Sequence, residues 1–65
     1  MRKYEIRSIY REGWLVGTHV SEETSLRKAE RRRAAELRSN GLHPDDVLII
    51  RWDGEVVAPR TRAKT

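Results

Sequence analysis

Apolar and polar residues alternate through the first twenty positions. Tyr4, Ile6, Ser8 and Tyr10 interleave with Lys3, Glu5, Arg7, Ile9 and Arg11, a period of two that predicts a strand. After Arg11-Glu12-Gly13 the alternation resumes at Trp14, Val16, Thr18 and Val20. A three-residue loop with Gly13 in the left-handed region sets Tyr10 opposite Trp14. That register gathers Tyr4, Ile6, Tyr10, Trp14, Val16 and Val20 on one face, whereas a one-residue slip scatters them.

The period changes after Ser21-Glu22-Glu23-Thr24. Ser21 or Thr24 is placed to cap a helix, and the two glutamates suit its positive end. The helix is expected to run to about Asn40 and stop at Gly41, with Leu42 folding back and Pro44 preventing continuation. Its apolar stripe is thin. At 100° per residue Leu26 and Leu37 fall within about 20° of each other, flanked by Ala29 and Ala34, with Glu30 and Arg33 intruding. Residues 47–52 carry apolar side chains on both faces, as a central strand does. Asp53-Gly54 reads as a two-residue type I′ turn into a strand over 55–58, which Pro59 ends. The expected fold is α+β in two layers: an antiparallel sheet of about four strands in ββαββ order, with one helix across one face. Residues 1–59 form the domain, and 60–65 a frayed basic tail.

Composition narrows the function. Of 65 residues 14 are Lys or Arg and 10 Asp or Glu, a net charge of +4 that favours polyanionic partners. A domain this short buries only about 60% of its unfolded surface. With no Cys and no dense cluster of metal ligands it lacks the usual staples, which leaves room for a homodimer. No run approaches the ~18 apolar residues of a membrane span, and the start of the chain has no apolar leader block. A cytoplasmic protein with no membrane association is expected.

Catalysis finds no constellation. A nucleophile needs a base within reach and an orienting partner, and two histidines and four serines at strand or capping positions do not converge. The glycines are isolated, so no phosphate-cradling loop forms. His43-Pro44-Asp45-Asp46 reads as a turn between helix and strand rather than a metal site. Neither an enzyme nor a cofactor is expected.

Two surfaces are candidates for binding. Residues 26–38 hold six basic side chains and two acids. Glu30 can reach Arg27 and Arg33, and Glu36 can reach Arg32 and Arg33, at three- and four-residue spacings. Arg27, Arg31 and Arg38 stay uncompensated within about 40° of one another, with Lys28 just beyond. Such a ridge suits the phosphates of nucleic acid, with Arg60, Arg62 and Lys64 of the tail assisting. The second candidate is the sheet face turned away from the helix, expected to carry Lys3, Arg7, Arg11 and His19 together with Ile9 and Leu15. Exposed apolar groups there fit a protein interface, and Ile9, Arg11, Leu15 and Trp52 are its expected contacts.

The helix start Thr24-Ser25-Leu26-x-x-Ala29, between a first hairpin and the Asp53-Gly54 hairpin, gives a layout that resembles the small phage and mobile-element proteins that include anti-CRISPR inhibitors. The resemblance implies a single α+β domain without enzymatic motifs that binds a nucleoprotein complex. It assigns no functional residue. Many such inhibitors are acidic, and this chain is basic. Electrostatic binding of nucleic acid is therefore the first expectation and a protein-directed inhibitor or adaptor the alternative.

Overall fold

A computed structural model describes residues 2–59; the expected tail at 60–65 lies outside them. Strands β1 (Tyr4–Glu12) and β2 (Leu15–Glu23) precede helix α1 (Leu26–Asn40), which is followed by a single 3-10 turn (Pro44–Asp46) and strands β3 (Val47–Ile50) and β4 (Val56–Ala58). The sheet is antiparallel in the order β2-β1-β3-β4, and α1 packs on one face, mainly over β1 and β3. The α+β two-layer class is as expected.

Both hairpin loops differ from expectation, and they differ in opposite senses. Glu12 pairs with Leu15, so the first loop has two residues. Gly13 adopts φ 61° at its first position, and Trp14 keeps a negative φ, the pattern of a Gly-X type II′ turn. The second loop has three. Arg51 N–H donates to Glu55 O at 2.7 Å, Gly54 N–H to Arg51 O at 2.8 Å, and Gly54 takes φ 92°. A type I turn closed by a left-handed glycine lets Asp53 keep a negative φ, which type I′ forbids. The Asp53 carboxylate accepts from Glu55 N–H at 3.1 Å and from Arg51 at 2.7 and 3.1 Å.

One residue fewer in the first loop inverts β2. Tyr10 faces Gly17, Ser8 faces His19 and Ile6 faces Ser21 on the helix side, while Val16 and Val20 pair with Arg11 and Arg7 on the far side. Trp14, expected in the core, stands 87% exposed at the hairpin tip. The inversion is tolerated because α1 lies less over β2 than over β1 and β3 and none of the core cluster comes from β2, so that strand needs no apolar inner face. In exchange Glu23 meets Arg32 of the helix, with N···O distances of 2.6 and 2.7 Å.

Glu22 and Glu23 extend β2 instead of opening the helix, and the cap is Ser25, whose Oγ accepts from Lys28 N–H at 3.2 Å. At the other end Gly41 adopts φ 61°, its N–H donates to Leu37 O at 3.1 Å, and Leu42 folds back on the core. The fully buried apolar residues are Ile6, Ala29, Val47 and Ile49, ringed by Tyr4, Leu26, Leu37, Leu42, Val57 and Ala58. A register shift opposite Ile49 and Ile50 lets both Val57 and Ala58 reach this cluster.

Polar groups complete the helix–sheet seam. Arg33 donates to Val47 O at 2.7 Å and Pro44 O at 2.8 Å. Glu36 Oε1 accepts from Tyr10 Oη and Asn40 Nδ2, both at 2.9 Å, and from Ser8 Oγ at 3.5 Å. Ser8 is 1% exposed, so Glu36→Ala strands a buried hydroxyl. The expected cost is about 1–3 kcal/mol, measured by urea unfolding, with Glu36→Gln losing less because the amide oxygen still accepts.

The turns also carry an acid response. The Arg51 guanidinium, with help from the Glu55 amide, holds Asp53 down at about 2, and Arg11 lowers Asp46. A carboxylate depressed on folding adds stability above its unfolded value of 3.8 and loses it as pH falls through the folded value. Stability is therefore expected to be flat above about pH 5 and to decline between 3.8 and about 2. Asp53→Asn should flatten that decline in thermal melts recorded across the range.

Candidate functional site

Helix α1 sorts its cations by side. Arg33 is spent on the two carbonyls and Arg32 on Glu23. Elsewhere, Arg7 lies 2.5 Å from Glu5, Arg11 donates to both oxygens of Asp46 at 3.2 Å, Arg51 pairs with Asp53 and Glu55, and Arg2 sits over the Trp52 ring at 5.2 Å. Arg27, Lys28, Arg31 and Arg38 differ. All four are exposed, and among the described residues none has a carboxylate at ion-pair distance. Arg27, Arg31 and Arg38 occupy the outer side of α1, across from Ala29 and Glu36, and Lys28 lies about 60° to one side of Arg31. At 1.5 Å per residue the ridge from Arg27 to Arg38 is about 16 Å long.

The partners that remove the other cations were not those the helix spacing suggests. Glu36 turns inward to Tyr10, Ser8 and Asn40, and it raises the Tyr10 hydroxyl pKa through that hydrogen bond first, then through burial and its charge. A partial signal was present: two hydroxyls, Ser8 and Tyr10, stand two apart on one strand face, and Glu36 falls within about 20° of Ala29 at the edge of the helix's apolar stripe. For Arg33 the signal was its intrusion into the apolar stripe, which turns it toward the seam where it braces the 3-10 turn.

Beside the ridge runs a groove of about 360 Å³ lined by Glu23, Lys28, Arg31, Arg32 and Ala35. Arg32 already neutralises Glu23, so Lys28 and Arg31 set its sign. The helix N-terminus reinforces it. No acid occupies the first turn, and Arg27 and Lys28 add their charge to the positive end of the dipole, an arrangement that disfavours cations by about 0.3–1 kcal/mol each.

The residues expected to share a protein interface are dispersed. Ile9 and Arg11 lie on the open sheet face, and Leu15 is at the hairpin tip on the helix side, as the register inversion requires. Trp52 packs edge-on against Tyr4 at 5.3 Å with Arg51 over it at 5.5 Å, and is 46% exposed. His19 also belongs to the helix side. His43 caps the 3-10 turn, its Nδ1 accepting from Asp45 N–H at 3.1 Å. Asp46 is engaged by Arg11. Among the described residues no group of three or more His, Cys, Asp or Glu could hold a metal, and no helix is long and apolar enough to cross a membrane. The chain matches no family model, no curated protein and no solved structure.

Proposed function

We propose that the protein is a small, non-enzymatic nucleic-acid-binding domain whose helix ridge Arg27, Lys28, Arg31 and Arg38 follows a phosphate backbone. The observation that carries the reading is the sorting of charge: among the described residues the cations of the sheet, turns and seam are each partnered, and those of the outer helix are not. Unpaired guanidinium groups on a rigid element are suited to phosphate oxygens. The absence of acids from the helix's first turn adds a local positive field where an anion would relieve it. No aromatic side chain lies on the ridge, so contact is to the backbone and tolerant of sequence.

The test is anisotropy of labelled random-sequence duplex DNA and of single-stranded RNA across a salt series. Three to four phosphate contacts give a slope of about −0.9 per contact on duplex, a loss of roughly 40- to 150-fold between ~50 and ~200 mM salt. No binding at ~50 mM salt overturns the reading and favours the alternative, a protein-directed inhibitor or adaptor.

A further inference from the structure

The face of the sheet away from α1 is unexpectedly apolar. The inversion of β2 brings Val16 and Val20 there beside Ile9, and β3 and β4 add Leu48, Ile50 and Val56. Val16, Val20 and Val56 are exposed, and Ile9, Leu48 and Ile50 half-buried. No second helix or strand among the described residues packs over them.

Among the described residues the charges on this face cancel. Lys3 pairs with Glu22 at 3.6 Å, Arg7 with Glu5, and Arg11 with Asp46: three cations against three anions. A neutral, aliphatic face has no attraction for phosphate, so it is not a second nucleic-acid site. It is, however, the kind of surface on which two chains of net charge +4 can meet without repulsion, whereas approach through α1 sets ridge against ridge.

We infer that this open sheet face is the interface of a homodimer in which two copies pack sheet to sheet. The second copy is the occupant favoured by energetics as well as by charge. Four fully buried apolar residues are a slender core for a domain without disulfide or metal, and a covering layer that contributes to stability must accompany every chain. A stable interface takes about 800 Å² per partner, roughly 15% of the 5207 Å² of accessible surface, which one face of a four-stranded sheet can supply. Sheets packed ~10 Å apart with strands nearly aligned make an isologous interface. The two ridges then point outward on opposite sides.

Sedimentation equilibrium of the 65-residue chain without nucleic acid tests this. The expected mass at ~10 µM is that of a dimer, unchanged between ~50 and ~500 mM salt because the face is neutral. Ile9→Lys, which enters the interface twice by symmetry, should raise the dissociation constant about a hundredfold or more. Since β1 is an interior strand, pairing through the β2 edge would not respond to it. Should Ile9→Lys fail to fold, a soluble paramagnetic agent decides on the unaltered chain. The methyl signals of Ile9, Val20 and Leu48 should be spared while that of Ala35 on the helix is attenuated. A monomer at ~100 µM overturns the inference, as does a dimer in which those methyls relax as strongly as Ala35. Neither outcome bears on the helix ridge, which is assayed by its own salt dependence.

Discussion

Replacing Arg27, Arg31 and Arg38 together by glutamine is expected to weaken binding to duplex DNA at ~50 mM salt by about a hundredfold or more. The slope of log affinity against log salt should become shallower by about 2.7, since each phosphate contact contributes about 0.9. Glutamine keeps length and hydrogen-bonding capacity, so charge is the property that changes. Stability should hold, because exposed substitutions away from caps and buried networks usually fall within ±0.5 kcal/mol. Removing Arg27 from the positive end of the helix even relieves a small repulsion. The matched control is Arg7→Gln with Arg11→Gln. It removes two positive charges, but ones already paired with Glu5 and Asp46, and binding is expected to stay within about threefold. Equal losses from both sets would mean that net charge alone, and not the ridge, governs binding.

Ile49→Ala is expected to be the most damaging single change to the fold. Ile49 is fully buried, pairs with Ile6 across β1 and with Ala58 across β4, and belongs to the same cluster as Ala29 of α1. Truncating such a residue costs about 2–5 kcal/mol. The whole stability of a domain this size is on the order of 3–10 kcal/mol, so the variant should be largely unfolded or lose most of its urea midpoint. Ile49→Val should cost about 0.5–1.5 kcal/mol. A loss below about 1 kcal/mol for alanine would show that the four-residue core is not what holds the sheet to the helix.

The order and type of every main element could be read from period and punctuation, because a two-residue alternation, a 3.6-residue stripe and a Gly41 stop each report local chemistry. What could not be read was set by tertiary contact. Gly13 suits a two- or three-residue loop equally well, and the apolar pattern Trp14, Val16, Val20 argued for the longer one. The sheet takes the shorter because α1 lies over β1 and β3 and asks nothing apolar of β2. That single step carried Val16 and Val20 to the open face and Leu15 away from it. In the helix, spacing identified Arg27, Lys28, Arg31 and Arg38 as the cations its acids leave over. It did so with the wrong pairings, since Glu36 turns to the sheet hydroxyls and Arg32 to Glu23. The outcome agreed because an outward-facing residue has few neighbours to consult beyond its own helix.

The central claim is a division of labour: a cationic helix for phosphate and a neutral sheet face for protein contact. Amide chemical-shift mapping of the labelled chain, titrated with a short random-sequence duplex at ~50 mM salt, tests it most directly. The account predicts shifts concentrated at Arg27, Lys28, Arg31, Ala35 and Arg38, with Arg7, Ile9, Val20 and Leu48 unmoved. Shifts centred on the sheet residues, with the helix ridge silent, would contradict it.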